Sequence, residues 1–485
     1  MYKKFESVHF VGIGGIGMSG IAEVLYNLGY TVHGSDLRDT ETTRRLRELG
    51  IIIKTGHSAD NLTNADVVVI SSAVSPDNPE VEEARRLSIP VIPRAEMLAE
   101  LARLKYAILV AGAHGKTTTT SLIASVLGEG AFDPTVVIGG KLKGIGSNAK
   151  LGRGEFLVAE ADESDGSFLK LSPTIAIVTN IDREHMDYFK SIDEIKNAFL
   201  SFINKVPFYG LCILNGDNQY MKELLPKVRR RFITYGLGDG LDLVAKNIRC
   251  NDFNAVFDAE LNGTLMGTFE VPLAGEHNIS NCIAAVAVAN ELGMKCDDIK
   301  KALKNFSGVQ RRLEMKGTVK DIGVIDDYGH HPAEIMATLK AVKEAMLQSA
   351  EHQTQNTDLR TKITDDGQRT TGQGRLVVLF QPHRYTRTRD LLGEFIDAFG
   401  YADKVLLMDI YSAGEKPLPG VNSELLYRGM KEINVNVEYI EDRDQVQNCL
   451  EMELKRGDIL LTLGAGDVWR EGEEFIQARK AKDIV

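Results

Sequence analysis

Cysteine is sparse and scattered: five residues (Cys212, Cys250, Cys282, Cys296, Cys449) in 485, with no Cys-x-x-Cys pair. That spacing argues against a zinc site and against a disulfide framework. No apolar run approaches the roughly 18 residues of a membrane span, and no cleavable signal is apparent, so a cytoplasmic location without a membrane partner is expected. Positive charge is in deficit, with 57 Lys and Arg against 68 Asp and Glu and a formal charge of −11 at pH 7. A nucleic-acid binder normally presents a basic face, so no nucleic-acid partner is expected. What remains is an ordinary globular composition, 43% apolar and 26% charged. The chain is too long for one core, and its length predicts about three domains.

The most informative stretch is an apolar run, Ala107 to Ala111, that breaks at Gly112 and continues through Ala113, His114 and Gly115 into Lys116, Thr117 and Thr118. Apolar residues at helical spacing follow, so the segment reads as strand, glycine loop, helix. Backbone N–H groups at such a loop suit a triphosphate, Lys116 supplies a fixed cation, and a threonine hydroxyl suits Mg²⁺. The spacing Gly-x-x-Gly-Lys-Thr is shorter than the common phosphate-loop pattern, and an ordinary glycine turn with a surface lysine is the bland alternative.

A second glycine loop lies near the start. The strand Val8–Val11 leads into Gly12, Gly14, Gly15 and Gly17, a helix runs to about Leu28, and the strand Thr31–Asp36 ends in an acid. This is a dinucleotide-type fingerprint, which physically requires only a diphosphate at a helix N-terminus and a carboxylate for a ribose hydroxyl. A further buried-type strand, Val67 to Val74, carries Ser71 and Ser72, either ligand contacts or loop caps.

Strands alternate with helices through the middle of the chain, which predicts a mostly parallel sheet covered by helices. Two acid and histidine clusters follow its strands, Glu160 to Asp165 and Asn180 to Asp187 with His185 between. Carboxylate and imidazole ligands could hold the divalent ions that nucleotide chemistry uses. Asn278 and Asn281 stand one helical turn apart and could reach a nucleotide together, although Asn278 alone would read as a cap. In the last third, strand ends are followed by Asp327-Tyr328-Gly329-His330-His331 and by His383-Arg384-Tyr385-Thr386-Arg387. The polar stretch 349–374 reads as a surface loop without chemistry. The expected fold is α/β, in three domains at 1–104, 105–308 and 309–485. The first and last are Rossmann-like, and the central one is like a phosphate-loop ATPase with a mostly parallel sheet.

Taken together, these motifs resemble the Mur ligases of bacterial cell-wall synthesis over essentially the whole chain apart from 349–374. The resemblance implies an ATP-driven amide synthesis. The lactyl carboxylate of UDP-N-acetylmuramate attacks the γ-phosphate, and the amino group of L-alanine then attacks the acyl phosphate. It implies that Gly112 to Thr118 cradle ATP, that Lys116 binds the phosphates, and that Thr117 and Glu160 hold one Mg²⁺ (or Mn²⁺), with His185 on a second. Asn278, Asn281, Arg312 and Asp327 would close over ATP. Gly12, Gly14, Gly15, Gly17, Asp36, Ser71, Ser72, Ser147 and Asn148 would bind the UDP-sugar. Arg384 and Arg387 would clamp the amino-acid carboxylate, beside Tyr328 and His330, and His330 could take the amine proton. A monomer or weak homodimer is expected. Several family members bridge two metals with a carbamoylated lysine, and Glu163 to Ser167, with Lys170 further on, offers no residue that we assign to it.

Three rival readings are weighed, and one is a non-catalytic nucleotide-binding switch, which would bind ATP without releasing phosphate when both UDP-sugar and amino acid are present. A family member that adds a preformed tripeptide to the same UDP-sugar shares most motifs but needs a roomier acceptor pocket. A nicotinamide dehydrogenase would use Gly12 to Gly17 and Asp36, but leaves Lys116, Glu160, His185 and the arginine pair unexplained.

Overall fold

Three sheets organise the chain in a computed structural model that describes residues 5–71, 73–142, 147–186, 188–251, 253–356 and 374–482. In the first sheet the strands Ile52–Thr55, Thr31–Asp36, Ser7–Val11, Val67–Ile70 and Val91–Pro93 lie side by side in that order. All its neighbours are parallel. The order doubles back around Ser7–Val11, so the ends of that strand and Val67–Ile70 diverge, which is where α/β sheets take ligands.

The second sheet has ten strands, and Tyr106–Ala111 lies between Ile175–Val178 and Phe156–Glu160. Those pairings are parallel, and the sheet ends in an antiparallel hairpin of Thr135–Leu142 and Ser147–Lys150. Ala107 to Ala111 are at most 1% exposed. Such burial on both faces explains why this strand is an unbroken apolar run rather than an alternating one. The expectation of strands alternating with helices fails at one edge: Leu243–Asn251, Asn254–Leu261 and Thr264–Val271 follow one another with no helix between.

The third sheet runs Glu314–Val319, Ile322–Asp327, Ile459–Leu463, Leu376–Phe380, Lys404–Leu407, Val437–Tyr439. Only its first pair is antiparallel. The helix Pro332–Asn356 extends into the stretch read as a loop, and 357–373 lie outside the described residues. Ala, Leu, Lys, Glu and Gln dominate that helix, and such residues keep a polar segment helical without apolar periodicity.

The chain divides into two compact units. One comprises Met1–Asn247, Phe257–Glu270 and Ser280–Val309, and the other Ile248–Val256, Val271–Ile279 and Gln310–Val485. In the first unit one apolar cluster joins Phe10, Ile21 and Leu25 with Leu109, Leu157 and Phe199. The third sheet has its own core around Val378, Phe380, Phe395 and Leu461.

Candidate functional site

The loop after Tyr106–Ala111 is shaped by two left-sided glycines, Gly112 at φ 141° and Gly115 at φ 80°. A side chain at Gly115 would press on the Asn281 amide, and one at Gly112 on Thr179. The loop backbone is also tied from outside. Asn180 Oδ1 accepts the His114 N–H at 2.8 Å, and the Asn180 amide and Thr179 hydroxyl donate to His114 O at 3.0 and 2.6 Å. The helix Lys116–Glu129 starts directly after Gly115, so its unpaired N–H groups join those of the loop. Asn281 is brought to this loop, accepting the Thr119 hydroxyl at 3.0 Å.

Lys116 folds over its own loop. Its Nζ donates to Gly112 O at 2.5 Å, to Ala113 O at 3.2 Å and to Glu163 Oε1 at 2.7 Å. Burial works against its charge, but Glu163 and Asp162 more than compensate and raise its pKa, so the ammonium stays charged. His185 Nε2 stands 3.6 Å from the same Glu163 oxygen and 3.9 Å from Glu184 Oε2. Burial pulls the His185 pKa down, and the Glu163 and Glu184 carboxylates reverse that and raise it. Its backbone is held at φ 56°, an uncommon conformation for a non-glycine residue. Ligand atoms of Glu163, Glu184 and His185 lie within 4.8 Å of one another. Among the described residues Glu163 Oε2 is buried without a hydrogen-bond partner. Two carboxylates and an imidazole with an unsatisfied oxygen fit a hard divalent cation such as Mg²⁺ or Mn²⁺. Glu160 is held differently: its Oε1 accepts the Gly139 N–H at 2.7 Å. Thr117 reaches the same hairpin, with a methyl 3.0 Å from where a Gly140 Cβ would be.

Around the first loop, Asp36 Oδ2 accepts the Gly14 N–H at 2.8 Å, so in this conformation the acid shapes the loop itself. Gly12 and Ile13 N–H groups both bond Ser35 O at 2.9 Å, and Gly15 caps the helix Ile16–Asn27. A cation that sequence reasoning missed stands here. The Arg94 guanidinium occupies the space a Cβ on Gly17 would take, and it pairs with Asp162 at 3.3 Å. The signal was its place directly after the strand Val91–Pro93. The Asn148 amide donates to Ile16 O and to Ser19 Oγ, joining the hairpin to the helix behind the loop. The strand expected over Val67 to Val74 ends at Ile70, so Ser71 follows it rather than lying in it, Ser147 opens Ser147–Lys150, and Ser72 lies outside the described residues.

In the second unit, Arg384 holds φ 71° at the start of the helix Tyr385–Asp390, and its N–H bonds Tyr411 O at 2.9 Å. Its side chain is exposed and makes no ion pair among the described residues. Arg387 meets His383 Nδ1 at 3.2 Å, and His330 lies edge-on to His383 with ring centroids 5.7 Å apart. His330 Nδ1 donates to Tyr328 O at 3.1 Å, which puts the lone pair of the neutral ring on Nε2. Arg312 lies over the Tyr328 ring at 5.3 Å and 3.7 Å from Glu334. Asp327 is 4% exposed and accepts from Leu313 N and Gly329 N. Burial raises its pKa to about 6, against opposing pulls from Arg312 and those N–H donors. Asn278 donates to Ala274 O at 2.8 Å. Tyr328, His330, Arg384 and Arg387 thus lie on one unit with an exposed guanidinium, a composition suited to an amino acid.

Comparison with known proteins covers the whole chain. The family model described as "Mur ligase family, catalytic domain" matches residues 7–106, "Mur ligase middle domain" matches 110–289, and "Mur ligase, glutamate ligase domain" matches 361–466. A UDP-N-acetylmuramate–L-alanine ligase of Geotalea uraniireducens is 54% identical over 481 residues, 99% of each chain. The protein of the same name from Geobacter sulfurreducens is 51% identical, over 99% of this chain and 100% of its own. Among solved structures, the UDP-N-acetylmuramate-alanine ligase MurC of Thermotoga maritima aligns with TM-score 0.80 and 29% identity, covering 98% of this chain and 99% of its own. A murein peptide ligase from Psychrobacter arcticus aligns with TM-score 0.68 and 24% identity over 97% and 98% of the two chains.

Proposed function

The chain belongs to the Mur ligase family, and from that premise we propose that it joins L-alanine to UDP-N-acetylmuramate using ATP. This is the first amino-acid addition in peptidoglycan precursor synthesis. Full-length identity of 54% to a protein of that name carries the choice within the family. Lys116, a charged lysine folded over a loop of backbone N–H groups, supports the phosphate chemistry.

The reaction turns a poor leaving oxygen into a good one. The lactyl carboxylate attacks the γ-phosphorus, ADP departs, and an acyl phosphate forms. The alanine nitrogen then adds to the carbonyl carbon, and phosphate leaves with the bond electrons. A carboxylate approaching a polyanion needs charge neutralised, so the protein acts mainly by positioning and electrostatics. Lys116 and the N-terminus of Lys116–Glu129 hold the phosphates, with Asn281 against the loop. Thr117, Glu160 and His185 are the ligands we assign to divalent cations. Mg²⁺, or Mn²⁺, supplies charge neutralisation at the transferring phosphate when bound. Asn278, Arg312 and Asp327 complete ATP binding.

Gly12 to Gly17, Asp36 and Ser71 hold the uridine diphosphate end, together with Arg94. Ser147 and Asn148 bound the sugar. Arg384 and Arg387 take the amino-acid carboxylate, and Tyr328 walls the pocket. His330 Nε2 accepts the proton that the ammonium must lose before attack, so activity rises from about pH 7 to 9. We assign the UDP-sugar to 1–104, ATP to 105–308 and the amino acid to 309–485. Among the described residues no helix is long and apolar enough to cross a membrane. A cytoplasmic monomer or weak homodimer is the accompanying proposal.

Phosphate release with ATP, UDP-N-acetylmuramate and each of L-alanine, glycine, L-serine and the L-Ala-γ-D-Glu-diaminopimelate tripeptide tests this. Release and amide product with L-alanine are expected. Turnover with the tripeptide alone would reject it.

A further inference from the structure

Glu163 is a residue of the central site to which the family resemblance gives no task, and its surroundings are unusual. Its side chain is 3% exposed. One oxygen, Oε1, serves both Lys116 Nζ at 2.7 Å and His185 Nε2 at 3.6 Å. The other, Oε2, is buried with no hydrogen-bond partner among the described residues. A buried acceptor without a donor is costly, and native structures keep one where a ligand is to be supplied. Glu163, Glu184 and His185 each present a ligand atom within 4.8 Å of the others. Glu160 is not in that group, and its Oε1 accepts the Gly139 N–H.

We propose that Glu163 is an exchangeable carboxylate, paired with Lys116 before nucleotide binds and a ligand of the His185 cation once the phosphates take Lys116. The proposal rests on the reading that this loop binds ATP with a divalent ion. Charge stays matched in both states. In the first, the Lys116 ammonium neutralises Glu163. In the second, the phosphates take the ammonium, and a divalent cation replaces it against a carboxylate that would otherwise be buried and unpaired. It also accounts for how a chain with no assigned carbamoylated lysine supplies a further oxygen to that ion.

The test is Mn²⁺ titration of the full-length protein, read by electron paramagnetic resonance, with and without adenylyl imidodiphosphate. With the nucleotide analogue, Glu163→Gln is expected to weaken Mn²⁺ binding about tenfold, the usual scale for losing a metal-site partner. Adding Glu163→Gln to His185→Ala should then cost little more than His185→Ala alone, because both act on one ion. Without nucleotide, Lys116→Met should tighten Mn²⁺ binding, since lysine and cation compete for one carboxylate. A purely structural Glu163 would not produce that gain, and this arm stands even if Glu163→Gln fails to fold. Mn²⁺ binding by Glu163→Gln within twofold of wild type, or no gain in Lys116→Met, overturns the proposal. A wild-type protein that binds no Mn²⁺ with the analogue overturns the ATP reading as well.

Discussion

Two glycine loops in this molecule share one backbone idea and differ in what lies around it. Each follows a parallel strand and opens a helix, at Ile16–Asn27 and at Lys116–Glu129. In both, some loop N–H groups are taken by neighbours, Gly14 by Asp36 and Gly12 and Ile13 by Ser35 O in the first, Ala113 and His114 by Asn180 in the second. The cation near the first is Arg94 from another element. In the second, the cation is the first residue of the helix and lies against the loop carbonyls. The scaffolds differ too. Under the first loop, His9 and Ser35 both bond buried Glu80, and His33 bonds His9. Under the second, Ala107 to Ala111 form a wholly apolar strand. A glycine loop by itself therefore specifies only a place for phosphate. Whether that phosphate is held or transferred depends on the charge fixed beside it.

The strongest way to break this contrast is Lys116→Met, which makes the second loop resemble the first. Amide synthesis should fall ~10³-fold with the fold intact by circular dichroism, the scale of losing a preorganised transition-state charge. Undiminished product would end the distinction between the loops. Next is Arg384→Ala in the other unit, which should raise KM for L-alanine about 30-fold, or ~2 kcal/mol for a charged hydrogen bond, while KM for ATP stays put. A matching rise in KM for ATP would show that the arginine does not discriminate between substrates. Gly17→Ala should displace Arg94 and raise KM for the UDP-sugar by roughly threefold to tenfold. If kcat falls in parallel, the first loop does more than hold.

The smallest effect separates the scaffolds by pH. Burial, reinforced by the charge of His9, lowers the His33 pKa from 6.5 to about 4. The folded protein thus resists a proton that the unfolded chain accepts, and stability declines as pH falls from 6.5 towards 4. Burial would raise Glu80, but hydrogen bonds from His9, Ser35 and Asn61 overcome it and hold its pKa at about 2 instead of 4.5. That contribution is present above pH 4.5 and is lost as pH falls towards 2. Thermal unfolding across pH 7 to about 3 should show stability falling as these groups take up protons, and His33→Gln should remove the upper part of the decline. A decline unchanged in that variant would take the scaffold out of the comparison.

Much of this was legible because the informative signals are local. Gly112, Gly115 and Lys116 are neighbours in sequence, and strand, turn and helix follow from adjacent residue types. The apolar run 107–111 could be read as a buried strand without knowing its partners. The helix through 349–356 escapes such a reading because it lacks an apolar stripe. Asn148 illustrates another limit: its residue type suits a sugar, yet its amide is shared between Ile16 O and Ser19 Oγ, a donor pattern set by packing.

The chain's own order of residues determined the two loops, the α/β class and the chemical types present near each strand end, since backbone preferences and side-chain chemistry act over a few positions. Only the tertiary structure decided which charge faces which. Lys116 meets Glu163 across 47 positions, and Arg94 reaches Asp162 across 68. The first pairing arises because the parallel neighbours Tyr106–Ala111 and Phe156–Glu160 bring their ends to one edge of a sheet, whereas Arg94 follows a strand of the first sheet, and no local pattern encodes which ends become neighbours.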